Sequence, residues 1–177
     1  MEGDQHAFGK LFRRYYDLLF QYGNKICSDK ELLEDAIQEL FVEVWHKKSK
    51  QSLQSVKAYF LQALKFKLYK SFRSRKFNYN IDSSENDVFE LSHETFVINK
   101  EDESEKAENI LSAINSLSAR QKEVIYLKIY KGLSYEEVST IMNVNYQVVR
   151  NLLCQALKAL RKLVHPLFAV GVLLLNT

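Results

Sequence analysis

From Leu133 to Val164 the chain reads as two short helices joined by a sharp turn, a pattern that fits a helix-turn-helix. The first helix is expected to start after Ser134, which forms a capping-box pattern with Glu137, and Gly132 is placed to end the helix before it. Asn143 falls at the turn, where a left-handed backbone is needed and Gly or Asn is tolerated best. Val138, Met142, Val144, Val149 and Leu152 fall where two crossed helices must pack, and small Ser139 sits where they approach closely. That leaves Tyr146, Gln147, Arg150 and Asn151 on the outer face near the start of the second helix, where such motifs reach base edges and phosphates. An ordinary helical hairpin would use the same packing.

The rest of the composition agrees with helices. One Pro, five Gly and abundant Leu, Lys, Glu and Ala favour an all-α protein of two small domains, and no sustained period-two alternation argues for a sheet. With 46% hydrophobic residues in 177, the chain can bury a real core. Cys27 and Cys154 match no disulfide or metal spacing, and His6, His46, His93 and His165 are scattered, so no metal is expected and a reducing, cytoplasmic setting is the simpler reading. Met1-Glu2-Gly3-Asp4 does not open a signal peptide. A helix is already under way by Ala7 and Phe8, so a few residues of the natural beginning are expected to be missing. The apolar tail, residues 167–177, is shorter than the roughly 20 residues that cross a bilayer and is expected to dock.

Charge divides the chain. Residues 1–80 carry 15 Lys and Arg against 9 Asp and Glu, residues 81–108 carry 2 against 10, and residues 109–177 carry 8 against 3. The expected layout is a first domain over 1–77, an acidic linker over 78–104, a second domain over 105–166 and the tail. The linker holds two apolar clusters, Val88-Phe89 and Phe96-Val97-Ile98, that are expected to dock on a neighbour or on the domains.

The sharpest charge run lies between Lys47 and Lys76, with ten basic residues, no acid and interleaved aromatics. Val56, Phe60, Ala63/Leu64 and Leu68 keep helical spacing and are expected to face inward. Lys65, Phe66, Tyr69, Lys70, Arg73 and Arg75 are then candidates for an exposed basic and aromatic face, able to hold phosphates and stack unpaired bases. The alternative is a solvated helix with surplus Lys. Upstream, Phe8, Leu11/Phe12, Tyr15, Leu18/Leu19 and Tyr22 mark one amphipathic helix. A second runs from a Ser28-x-x-Glu31 capping box through Leu32/Leu33, Ala36/Ile37, Leu40/Phe41 and Val44/Trp45. Its other face carries Glu34, Asp35, Gln38, Glu39 and Glu43, suited to a protein partner.

The order of these pieces resembles bacterial RNA polymerase sigma factors of the extracytoplasmic-function group. The matching residues are Asp4-x-x-Ala7-Phe8-x-x-Leu11-Phe12 with Tyr15-Tyr16, and Asp35-Ala36-Ile37-Gln38-Glu39-Leu40-Phe41 leading to Val44-Trp45. They continue in Leu117-Ser118-x-Arg120-Gln121-Lys122-Glu123-Val124, then Gly132 to Val138, then Ala156-Leu157-Lys158-x-Leu160-Arg161. The resemblance implies a region 2-like helical bundle and a region 4-like helix-turn-helix. It implies that Asp35, Gln38, Glu39, Phe41 and Trp45 dock on the beta-prime coiled coil of core RNA polymerase. Lys65, Phe66, Tyr69, Lys70, Arg73 and Arg75 would then take unpaired bases of a promoter's minus-10 element. Tyr146, Gln147, Arg150, Asn151 and Lys158 would read the minus-35 element as duplex, with the second domain resting on the beta flap. An anti-sigma factor is implied as a further partner.

This chain has Phe66, Lys67, Lys70 and Ser71 where members often carry Asn and Asp, and Leu152, Cys154 and Gln155 where many carry basic residues. The second domain is therefore expected to bind DNA weakly alone and to depend on polymerase for avidity. Two other functions fit parts of the chain. A helix-turn-helix regulator acting alone would need only the carboxy-terminal motif, and a sigma-like adaptor that binds protein would need no DNA contact. No nucleophile and base, carboxylate pair, metal cluster or Gly-rich phosphate loop appears, so neither enzymatic activity nor a cofactor is expected.

Overall fold

A computed structural model describes residues 5–46, 54–79, 88–91 and 112–163, with the backbone alone for 75–79 and 162–163. All regular structure among the described residues is helical. The chain divides into two compact units, one of Met1–Val88 with Ser139–Asn143 and one of Phe89–Val138 with Val144–Thr177.

The first unit is built from α1 (Gln5–Gly23), α2 (Lys30–His46) and α3 (Val56–Tyr79), each packed on the other two. Leu19 and Tyr22 of α1, Leu33, Ile37 and Leu40 of α2, and Leu61, Leu64 and Leu68 of α3 are almost completely buried. Each such side chain contributes roughly 1.5–3 kcal/mol by leaving water. Phe60 and Ala58 are also inward, but Val56 at the first turn of α3 is 36% exposed. Phe41 of α2 lies among aromatic rings from α1 and α3, 4.7 Å from Phe12 and 5.3 Å from Phe60 by ring centroid. Gly23 ends α1 where a methyl group would run into the Leu33 side chain, which would have to shift to admit it.

The start of α2 is one residue later than the Ser28 capping box predicts. Asp29 is the cap: its Oδ1 accepts a hydrogen bond from the Leu32 amide at 3.1 Å, and its carbonyl accepts the first helical bond from Leu33. A carboxylate is an acceptor as good as a hydroxyl there and adds a favourable charge at the positive end of the helix. Ser55 caps α3 in the same manner, accepting from the Ala58 amide at 3.1 Å.

Beyond the connector come a helical turn at residues 112–115, α4 (Ala119–Ile125), α5 (Tyr135–Met142) and α6 (Tyr146–Leu163). Ser118 and Gln121 close a reciprocal capping box at the start of α4, which packs on α6. α4 then widens into one π-helical turn over Tyr126–Tyr130, where the Lys131 amide reaches back five residues to the Tyr126 carbonyl. Phe89 and Leu91 are buried, and the Phe89 ring lies 5.6 Å from that of Tyr126. Phe89 of the connector's first apolar cluster is therefore anchored on the second unit; Phe96-Val97-Ile98 and the tail from 167 to 177 lie outside the described residues.

Candidate nucleic-acid interface

The helix-turn-helix is set by three local devices. Ser134 and Glu137 form the expected capping box, with the Ser134 amide donating to Glu137 at 2.9 Å and the Glu137 amide donating to the Ser134 hydroxyl at 3.1 Å. Asn143 adopts a left-handed backbone with φ of 52°, and Gly132 likewise with φ of 64°. Asn145 caps α6 by accepting from the Val148 amide at 2.9 Å.

Val138, Met142 and Val149 are buried as the motif predicts, but Val144 and Leu152 are only half-buried. The inward stripe of α6 runs through Val149, Leu153 and Ala156, spaced by four and three residues, which rotates Leu152 to the edge. At the amino-terminal end of α5, hydrogen bonds from the Glu136 backbone amide and the Ser134 hydroxyl hold the Glu136 carboxyl below its ordinary range.

Tyr146, Gln147, Arg150, Asn151 and Lys158 all lie exposed on α6. Gln147 donates to the Asn151 side chain at 3.0 Å, so these two amides present a joined polar surface one turn long. Further along the helix, Arg150, Leu153, Cys154, Leu157, Lys158 and Arg161 line a groove of about 400 Å³ with Tyr135 at its side. Tyr135 and Arg161 are not among the residues expected to contact DNA; the first lies on the preceding helix and the second near the end of α6. Tyr135 stands beneath the Tyr146 ring at 5.3 Å, and the Lys128 ammonium lies 4.4 Å over the Tyr135 ring while donating to the Leu133 carbonyl at 2.9 Å. This chain of contacts props the first residue of α6.

In the first unit, α3 brings Phe66, Lys70 and Arg73 to the surface, with Phe66 69% exposed. Lys65 and Tyr69 are half-buried beside them, the Lys65 ammonium 5.7 Å from the Tyr69 ring centre, and Tyr69 meets Phe72 edge to face. Arg75 lies on the same helix, its side chain outside the described residues. A helix that exposes an aromatic ring among cations can bind phosphate by charge and a base by stacking.

Asp35, Gln38 and Glu39 share the outer face of α2 with Val42, an apolar residue 54% exposed that the sequence reading passed over. Trp45 is 37% exposed at the end of that face. Phe41, grouped with them by sequence, is instead core, 2% exposed. It continues the buried stripe of Leu33 and Ile37 at four-residue spacing, which turns it toward α1 and α3, and it supports Phe8, on which Trp45 leans.

The acidic and basic faces are not separate. Lys67 of α3 donates to Glu43 at 2.6 Å and to Glu39 at 3.2 Å, its side chain 17% exposed against 64% and 71% for the two acids. Burial pulls its pKa down, but the hydrogen bonds and charges of Glu43 and Glu39 outweigh that, so it lies above the ordinary lysine value of 10.5. Among the described residues no group of His, Cys, Asp and Glu could hold a metal ion, and no helix is long and apolar enough to cross a membrane.

Residues 11–78 match the family described as Sigma-70 region 2, and residues 107–160 match Sigma-70, region 4. The ECF RNA polymerase sigma factor BldN of Streptomyces coelicolor is 26% identical over 167 residues, which cover 91% of this chain. The chain spans 61% of that curated relative's length.

Among solved structures, the fold is similar to that of the sigma factor RpoE in complex with the anti-sigma factor NepR from Bartonella quintana. That likeness has a TM-score of 0.61 and 22% identity, covering 89% of this chain and 96% of the other. It is also similar to CnrH in complex with the cytosolic domain of CnrY, with a TM-score of 0.58 and 20% identity, covering 91% and 89%. Two successive regions of one family, which together match 11–78 and 107–160 in the order the motifs run, place this chain in the sigma-70 family.

Proposed function

We propose that this chain is a sigma factor that binds core RNA polymerase and directs it to promoters through a minus-10 and a minus-35 element. The observation that carries the reading is that one small domain presents two faces side by side. One is acidic and apolar, with Asp35, Gln38, Glu39, Val42 and Trp45; the other is basic and aromatic, with Phe66, Lys70 and Arg73. A protein that only bound duplex DNA would need neither.

In this reading residues 1–77 form the polymerase-docking and minus-10 domain, 78–104 an acidic linker, and 105–166 the minus-35 domain, followed by the tail at 167–177. Asp35, Gln38, Glu39 and Trp45 touch the beta-prime coiled coil, with Phe41 supporting them from beneath. Lys65, Phe66, Tyr69, Lys70, Arg73 and Arg75 hold the unpaired strand, where aromatic stacking offsets the few kcal/mol that unstacking a base costs. Tyr146, Gln147, Arg150, Asn151 and Lys158 read duplex DNA, and the second domain rests on the beta flap. Base and phosphate contacts of this kind position polymerase, whose own centre performs the chemistry, so the chain acts without catalysis of its own and in the cytoplasm. RpoE of Bartonella quintana was solved with an anti-sigma factor, which supports a partner of the same kind here.

Run-off transcription with purified core polymerase tests the reading. The expected result is promoter-dependent product from a subset of genomic templates, lost on Asp35→Ala with Gln38→Ala; absence of any such product across the templates overturns it.

A further inference from the structure

The three groups at the seam of the first unit do more than join two helices. Glu39 and Glu43 are one turn apart on α2, and two like charges at that spacing repel each other. Lys67 lies between them and relieves the repulsion, with its ammonium committed to both carboxylates. Its position on α3 is next to Phe66 and one turn before Lys70, at the edge of the exposed basic and aromatic face. A lysine ammonium rides on a flexible four-carbon stem, so a change of side-chain rotamers carries it from the acids toward that face without moving the backbone.

The acids are about two-thirds exposed and therefore open to a partner, whereas the lysine is sheltered. An ion pair whose acids are this exposed holds weakly, and a competing cation on a docked protein can break it.

We infer that Lys67 is a further nucleic-acid-binding cation held in reserve by Glu39 and Glu43, and released for a phosphate when those acids are occupied or neutralised. The inference rests on the reading of α3 as the nucleic-acid face and of Glu39 as a docking residue. It makes the grip on single-stranded DNA depend on whether the docking face is filled, through side chains alone.

The test is a double-mutant cycle on the full chain, read by fluorescence anisotropy with a labelled single-stranded DNA of random sequence. The proteins are wild type, Glu39→Gln/Glu43→Gln, Lys67→Met, and the triple variant; methionine keeps the stem's packing. The expected result is that the glutamine variant binds several-fold tighter at low salt, with a salt dependence steeper by about 0.7 for one more phosphate contact. That gain disappears in the triple variant. If it persists there, the acids act by general repulsion and the inference is overturned; an unchanged affinity and salt slope in the glutamine variant also overturns it. Lys70→Ala/Arg73→Ala is the control for the underlying reading. If that pair binds as well as wild type, or if no protein binds the probe, the nucleic-acid face itself is wrong and the inference falls with it. Loss in the control with a persisting gain in the triple variant removes the inference alone.

Discussion

Phe8 and Trp45 meet edge to face, their ring centroids 4.8 Å apart and their planes at 68°. The contact ties the first turns of α1 to the last turn of α2 and holds the exposed end of the proposed docking face. Edge-to-face pairs contribute about 0.5–1.5 kcal/mol beyond the area they bury. Phe8→Ala should lower stability by roughly 1–2 kcal/mol, because the ring is half-buried and water replaces part of its lost contacts. The chain has one tryptophan, so its emission reports on this contact alone and should shift to the red. An unchanged emission maximum would mean that Trp45 does not rest on Phe8.

Phe41 and Asp35 separate the support of that face from its contacts. Phe41→Ala opens a hole among Phe8, Phe12 and Phe60 and should cost about 3–5 kcal/mol, read by chemical denaturation. Asp35→Ala removes an exposed side chain and should leave the denaturation midpoint nearly unchanged while weakening capture of core polymerase.

Backbone handedness gives a third pair of outcomes. Asn143, with φ of 52°, should accept glycine with little loss, whereas Asn143→Val should cost about 1–2 kcal/mol. Gly132→Ala should also destabilise, by about 1 kcal/mol, although nothing crowds the added methyl within 4 Å, because φ of 64° is itself unfavourable for alanine. Thermal unfolding of the variants checks both, and equal melting of Asn143→Val and wild type would contradict the assignment of the turn.

These positions also show what could be read in advance and what could not. The capping box at Ser134, the reversal at Asn143 and the stop at Gly132 were legible because each rests on a conformational rule that few residue types satisfy. The cap of α2 was not, since adjacent Ser28 and Asp29 are both good caps and only the packing of α2 decides between them. Leu152 departs from expectation for a related reason: a residue at the border of a helical stripe is assigned by the crossing angle of the partner helix, which periodicity does not contain, whereas Phe41 falls on the apolar stripe by periodicity and only the resemblance assigns it to docking. The tie from Lys67 to Glu39 and Glu43 joins positions 28 and 24 residues apart, and no local pattern announces it.

Alkaline pH should unfold the protein in a traceable way. Burial, with a lesser effect of neighbouring Tyr130, pushes the Tyr126 phenol well above its ordinary value of 10.0, and Lys67 is raised above 10.5. Both groups keep their protons longer when folded than when unfolded. The stability they contribute is therefore complete below about pH 10 and drains away as pH rises through their folded values. Tyr126→Phe should flatten the loss of stability above about pH 10, measured by denaturation at a series of pH values. The same slope in both proteins would show that the phenol does not titrate with unfolding.

Arg150 should act on DNA as a charge as well as a reader. Arg150→Ala should weaken binding to duplex DNA and make it less sensitive to salt, with the slope falling by about 0.9 if one phosphate contact is lost. An affinity that drops with an unchanged slope would assign Arg150 to a base edge instead.

The widened turn at Tyr126–Tyr130 bears on how sequences of this kind are compared. An α-helix closes each bond across four residues, and here the Lys131 amide reaches across five, so the helix carries one residue more than its length requires. Against a relative whose helix runs regularly through this point, a single-position gap belongs within the turn, where Ile129 is 59% exposed. Placed in the loop after Lys131, where gaps are usually put, it would shift the alignment of Tyr130 and Lys131 and misassign the tyrosines that brace the second domain.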